Sequence, residues 1–173
     1  MNANLTFQRT LVLTTLDTVK RRIAESIDAH GLTASGRTAD SMRVEETDQG
    51  GTLYGRQYFQ GLQIGRPAGR VPRDFRDIIK QWITDKGLTV QQIPYKTDRP
   101  HKYTVEERSL NIAAGAISHT IQTEGDKTNR DGMVRDVYDT IIREEVERLK
   151  ASIGTGMTAY IKNEYSTTTG LRL

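Results

Sequence analysis

The chain has 173 residues, of which 35% are hydrophobic and 6% aromatic, enough to bury one modest core. It contains no cysteine, which excludes disulfides and thiolate metal sites, and its formal net charge of +3 permits a polyanionic partner without requiring one. No segment combines the length and hydropathy of a membrane span, and the N-terminus lacks the pattern of a signal peptide, so we expect a soluble protein without a membrane partner. We expect one domain over residues 1–153 and a flexible C-terminal arm over residues 154–173.

The first third of the chain predicts a long helix followed by a hairpin. From Thr10 to His30 apolar residues recur every three or four positions, which predicts an amphipathic helix ended by Gly31. The segments SMRVEE (residues 41–46) and TLYGRQY (residues 52–58) predict two strands joined by a turn at DQGG. One interpretation of FQGLQI, residues 59–64, is a third short strand of the same sheet.

Three further helices are predicted downstream. The first carries a stripe from Phe75 to Ile83, with Asp74 placed to cap its start and Gly87 to end it. Thr104 and Glu107 have the spacing of a capping box and predict a helix that runs to Gly125.

The last predicted helix has an apolar face that begins at Val134 and continues to Ile153. Between the first two of these helices, residues 88–103 predict a long loop with room for one short strand; loops of this length often contact a neighbouring subunit. The fold class is therefore α+β: a small antiparallel sheet, hairpin plus short strand, packed by the long N-terminal helix and three further helices.

No catalytic or metal-binding arrangement emerges from the sequence. His30, His101 and His119 stand far apart and are interpreted as surface or partly buried side chains. The acidic pairs lie on opposite faces of a strand or at a helix start, where capping explains them. Charged residues of the last helix predict a solvated or inter-subunit face: Glu144, Glu145, Glu147, Arg148 and Lys150. We therefore expect no enzymatic activity, no cofactor and no metal.

The most unusual segment is YFQGLQIGRPAGRVPRDF, residues 58–75, in which glycines alternate with cationic side chains ahead of a helix. Its spacing matches neither G-x-x-x-x-G-K-[ST] nor G-x-G-x-x-G, so a nucleotide loop is disfavoured. The arginines could contact acids of a neighbouring subunit or a phosphate backbone, and the first is favoured because no base-stacking aromatic is interleaved with them. The candidate residues at a subunit interface or a DNA channel are Arg56, Arg66, Arg70, Arg73 and Arg76.

The order of segments resembles the tail-completion, or head-to-tail joining, proteins of the neck of tailed bacteriophages. The matching segments are a long N-terminal helix, the turn and strand SGRTADSMRVEE, the strand and loop TLYGRQYFQGLQIGRPAGRVP, the helix FRDIIKQWITDKGL, the helix and turn NIAAGAISHTIQTEGDKTNRDG, and the helix MVRDVYDTIIREEVERLKASI. The resemblance covers most of residues 10–153 and is one of pattern, without a catalytic signature. The loop at 88–103 and the residues after Ile153 have no counterpart in it.

The resemblance implies a structural virion protein, assembled in the host cytoplasm, that forms a homo-oligomeric ring in the neck. Rings of this kind are commonly sixfold or twelvefold, lie between the portal or adaptor and the tail proteins, and surround the channel that DNA crosses. A non-specific contact with channel DNA is one consequence. The alternatives are a small basic DNA-binding protein that uses residues 66–76 and, with least support, an enzyme carried on the virion.

Overall fold

The structure is a computed structural model that describes residues 3–48, 50–56, 59–97 and 99–169, and its α+β class is the one predicted. The elements in chain order are α1 (Ala3–Ala29), α2 (Arg37–Asp40), β1 (Arg43–Thr47), β2 (Gly50–Tyr54), α3 (Phe59–Ile64), α4 (Phe75–Asp85), α5 (Val105–Glu124), α6 (Lys127–Arg130) and α7 (Asp139–Thr169). The chain divides into two compact units. The first contains α1, the hairpin and α7; the second contains α3 to α6 and their connections.

In the first unit, α1 supplies the largest buried stripe. Val19, Ile23 and Ile27 are at most 6% exposed, as the predicted period requires, although the helix begins seven residues earlier than Thr10, at Ala3. The other buried apolar residues of this unit are Met42 and Val137.

The hairpin packs closely on α1 because its second strand begins with two glycines. Strands β1 and β2 pair antiparallel, with Arg43 opposite Tyr54 and Thr47 opposite Gly50. A Cβ added at Gly51 would lie 2.8 Å from Leu13 Cδ2, so the absence of a side chain lets the strand approach the helix. The predicted turn DQGG is thus shorter than expected, because its glycines belong to β2.

Helices α1 and α7 pack against each other in antiparallel fashion. Phe7 lies against Gly156 near one end, where a Cβ on the glycine would be 2.6 Å from the Phe7 ring. Further along, Arg22 reaches Glu144 and Glu145. Helix α7 passes through residue 153 without a break and continues to Thr169, so the described part of the predicted arm is helical.

In the second unit, α4 and α5 form the core. Phe75, Ile79 and Ile83 of α4 pack with Ala114 of α5, which is fully buried. Partly buried residues around them are Val71, Val90, Leu110, Ala113, Ile117 and Ile121. The spacing of these residues on both helices is the one that the sequence predicted.

Most helix ends of the second unit lie where the sequence predicts them. The capping box is confirmed: the Glu107 amide donates to Thr104 Oγ1 (3.1 Å) and the Thr104 amide donates to the Glu107 carboxylate (2.9 Å). Gly125 follows α5 and Gly87 follows α4, as predicted. Asp74 does precede α4, but its side chain makes no capping hydrogen bond, so that prediction was wrong.

Two predicted elements differ in the structure. FQGLQI is helix α3 rather than a third strand, because the half-buried Phe59 and Leu62 and the buried Gln63 recur at the three- and four-residue spacing of a helix face. The last helix begins at Asp139 rather than near Val134, which is 69% exposed. Residues 88–103 form a loop as predicted, and its described residues contain no strand.

Candidate partner-binding surface

The arginine loop, defined here as residues 65–74, is held against the end of α5 and the start of α6. The Asp126 carboxylate accepts hydrogen bonds from the Arg66 amide and the Asn129 amide, both at 2.9 Å. The Asp126 amide in turn donates to the Arg66 carbonyl, and the Gly69 amide donates to the Gln122 carbonyl. The loop is therefore fixed at two points of the second unit.

Two of the five candidate arginines form contacts within the second unit. Arg66 donates to the Arg70 carbonyl (3.0 Å) and places its guanidinium carbon 5.1 Å from the centre of the Phe75 ring. Arg76 donates through Nε and Nη2 to the Asn111 carbonyl of α5, at 3.1 and 2.6 Å. It lies over Gly115, whose added Cβ would be 3.6 Å from the guanidinium carbon. Both arginines thus stabilise the second unit.

The arginine loop keeps two exposed cations. Arg70 and Arg73 are exposed, and within the part of the chain that the structure describes no hydrogen bond or ion pair of either guanidinium is found. Arg56 is also exposed but belongs to the first unit. Of the five candidates, Arg66, Arg70, Arg73 and Arg76 share one unit, and among the described residues Arg70 and Arg73 are the two of these four whose guanidinium groups make no hydrogen bond within it.

Exposed apolar side chains lie on α4 beside this loop in sequence. Ile78 is 46% exposed and Trp82, one turn later, is 39% exposed. The predicted stripe of α4 is therefore wider than the core it meets, and its outer edge is open to solvent. Helix α7 shows the same feature in the first unit, with Ile142 and Val146 at 42% and 39%.

The charged face predicted on α7 is in part buried. Glu145 is 5% exposed and accepts from Arg22 (2.7 Å) and Arg148 (2.6 Å), while Arg22 also donates to Glu144. Hydrogen bonds to Glu144 and Glu145 raise the pKa of Arg22. The prediction of a solvated or inter-subunit face was therefore wrong for Glu145, which joins α7 to α1.

Two further titratable groups lie where α7 begins. Hydrogen bonds from the Thr140 side chain and amide lower the pKa of Asp136, and desolvation raises the pKa of Tyr138. The pKa of Asp136 is lowered by hydrogen bonds at the start of α7, and the pKa of Tyr138 is raised by burial beside that helix start. Asp136 also lies within electrostatic reach of Arg143 and His30, and Tyr138 within reach of Asp139.

The described residues offer no group of three or more histidine, aspartate or glutamate side chains close enough to hold a metal ion. None of the described helices has the length and apolar character of a membrane-crossing segment. His30, His101 and His119 are all exposed, as predicted. The arginine loop presents two exposed guanidinium groups, and the helix that follows it in sequence has an exposed apolar edge.

No family model, no curated protein and no solved structure matches this chain.

Proposed function

We propose that this protein is a structural subunit of the neck of a tailed bacteriophage, where copies form a ring that joins the head to the tail. The ring lies between the portal or adaptor and the tail proteins, with sixfold or twelvefold symmetry, and is built in the host cytoplasm. The observation that carries the proposal is the order of segments that resembles the tail-completion family.

Two structural features support an assembly role. Arg70 and Arg73 project from a loop that is anchored at Asp126 and Gly69, so their positions are set before any partner arrives. Ile78 and Trp82 leave an apolar strip on the helix that follows the loop. Tryptophan and arginine are enriched at protein interfaces, and both residue types are exposed on this stretch of the chain.

The alternative, DNA binding through residues 66–76, is weakened by the same geometry. Arg66 and Arg76 each donate to a backbone carbonyl, of Arg70 and Asn111 respectively, which holds their guanidinium groups against the second unit. Arg70, Arg73 and Arg76 are exposed, and three guanidinium groups neutralise about three phosphates, which gives only a weak, salt-dependent attraction.

The proposal is tested by the mass of the protein in solution. Native mass spectrometry or negative-stain microscopy of the protein, alone and with portal and tail-tube proteins, is expected to show a closed ring. Replacing Arg70 and Arg73 by glutamate should shift the protein towards the monomer, because the new carboxylates are repelled by the acids of a neighbouring copy that the guanidinium groups had attracted. The variant Lys127→Glu, which changes one exposed cation on α6, is the control for a general charge effect. A protein that stays monomeric alone and with both partners contradicts the proposal.

A further inference from the structure

The loop between α4 and α5, residues 88–104, is folded by contacts of its own. The buried Ser109 accepts a hydrogen bond from the Ile93 amide (2.8 Å) and donates to the Val105 carbonyl (2.7 Å). Arg108 donates to the carbonyls of Ile93 and Pro94. These bonds tie the middle of the loop to the first turns of α5, so the loop holds a defined shape without a partner.

A stack of side chains occupies the tip of this loop. The rings of Tyr95 and His101 lie 3.5 Å apart between centroids and are nearly parallel, at 5°. The Arg108 guanidinium carbon is 4.7 Å from the centre of the Tyr95 ring, and the Tyr95 hydroxyl donates to the Tyr103 carbonyl (3.1 Å). Tyr95 is therefore engaged by its neighbours. His101 is exposed, and its ring nitrogen Nε2 lies 3.0 Å from the Thr97 carbonyl oxygen, so the ring is held beside Tyr95 while it remains accessible to solvent.

Cationic side chains lie close to the stacked residues in the sequence. Lys96, Arg99 and Lys102 are exposed, and none of them takes part in an ion pair among the described residues. Lys102 lies 5.2 Å from the centre of the Tyr103 ring, which is 44% exposed. Aromatic and cationic groups thus alternate along the tip.

The described acidic side chains near the tip accept hydrogen bonds from residues of the same loop. Glu107 accepts from the Thr104 amide as part of the capping box, and Glu106 accepts from the Gln92 side chain (3.3 Å). Asp98, which lies in the same segment of the sequence, is outside the described residues. Counting it, residues 95–103 carry three basic residues, Lys96, Arg99 and Lys102, and one acid, and so keep a surplus of two positive charges (three minus one).

We propose that the described part of the tip of this loop, residues 95–97 and 99–103, binds single-stranded nucleic acid. Lys96, Arg99 and Lys102 neutralise successive phosphates, while a base stacks on the open ring of His101 and so extends the Tyr95–His101 pair by one layer. Aromatic faces beside cations are the means by which proteins bind single strands without reading sequence. Bases of a duplex are closed to such stacking, so the single strand is preferred. The inference does not rest on the proposed function.

The arginine loop lacks this combination, which separates the two surfaces. Its one ring near an arginine is Phe75, and that ring is 8% exposed, in the core. We therefore assign base stacking to the tip at residues 95–103, and not to the arginine loop that carries Arg70 and Arg73.

The test is fluorescence anisotropy of a labelled oligothymidine of about 12 nucleotides, a length within the usual single-strand site size, compared with a duplex of equal length. We expect binding to the single strand that weakens with salt. Replacing Lys96, Arg99 and Lys102 together by alanine should lower the slope of log affinity against log salt by about 2, which is about 0.7 for each of three phosphate contacts. His101→Ala should weaken binding about tenfold through loss of the stacked base.

Matched variants separate the proposal from general charge and folding effects. Alanine at Lys20, Lys127 and Lys162 removes the same charge from other elements and should leave the affinity within about twofold. His101→Phe keeps a flat ring and should restore the binding lost in His101→Ala. Circular dichroism checks that each variant is folded.

Four results would overturn the proposal: no binding at about 50 mM salt, equal or tighter binding of the duplex, the same loss in the control triple variant, or competition by polyglutamate at the affinity of the oligonucleotide. The last would assign the tip to an acidic protein surface.

Discussion

Gly65 fixes the point at which the chain leaves α3 and enters the arginine loop. Its φ of +74° is disfavoured for any residue with a side chain, and an added Cβ would lie 2.3 Å from Asp126 Oδ1 and 2.7 Å from the Asn129 amide nitrogen. The same carboxylate holds the Arg66 amide, so the crowding falls on the bond that anchors the loop.

We therefore expect Gly65→Ala to lower the free energy of unfolding by about 2 kcal/mol or more, since backbone strain and loss of the Asp126 contact act together. Gly61→Ala is the control, because Gly61 lies within α3 and its added Cβ meets no atom within 4 Å. Alanine there should be neutral or stabilise by about 0.5 to 1 kcal/mol. Urea unfolding of both variants measures the difference, and equal stability would contradict this account of the loop.

The groups that the arginine side chains contact could not be predicted from the sequence alone. The sequence showed four of them close together, which is a local property, but the partner of Arg76 is a carbonyl 35 positions away, on α5. Likewise, the charge pattern of α7 placed Glu145 on a solvated face because its partner, Arg22, lies 123 positions earlier. Contacts of such sequence separation depend on tertiary packing, which local patterns do not contain.

At the scale of elements, the pairing of α1 with α7 depends on a buried charge. Glu145 is 5% exposed and joins Arg22 to Arg148. An ion pair in this position contributes little net stability over an apolar pair, but removing one partner leaves the other charge without compensation.

Glu145→Ala is therefore expected to lower the free energy of unfolding by about 3 kcal/mol, somewhat reduced by the remaining contact of Arg22 with Glu144. Glu147 offers a matched control on the same helix: its carboxylate is 65% exposed and pairs only with Lys150 among the described side chains. Glu147→Ala should change stability by less than about 0.5 kcal/mol. Thermal and urea unfolding of the two variants measure the effect, and a Glu145→Ala protein as stable as Glu147→Ala would show that the network does not join the helices.

The sequence predicts the hairpin and the strongly periodic helices, but not the short helix α3 or the two ends of α7. Helices α1, α4 and α5 each repeat the apolar period for several turns, and Thr104 marks one start with a specific hydrogen-bonding pattern. FQGLQI has six residues, too few for a helix period to be distinguished from an apolar strand, and it was assigned wrongly. The continuation of α7 past Ile153 was missed because glycine and threonine have weak helix propensity, which packing of Phe7 on Gly156 overrides.

At the scale of the whole molecule, both units leave apolar helix edges open. Ile78 and Trp82 on α4, and Ile142 and Val146 on α7, are each between 39% and 46% exposed. Single exposed apolar residues need no explanation, but pairs one turn apart on a helix form strips of the kind that protein interfaces cover.

Trp82 is the only tryptophan of the chain, so its fluorescence reports on α4 alone. If copies associate through this edge, the emission should shift to shorter wavelength as the concentration rises, because association removes water from an indole that is 39% exposed in the single chain. Ile78→Asp, which places a charge in the same strip, should weaken association by about thirtyfold or more and abolish the shift.

Thr84→Asp adds the same charge at another exposed position of α4 and should leave both the mass and the emission nearly unchanged. A complex that forms with no change in Trp82 emission would place the interface elsewhere, and the exposed strip of α7, probed by Ile142→Asp, would then be expected to control association.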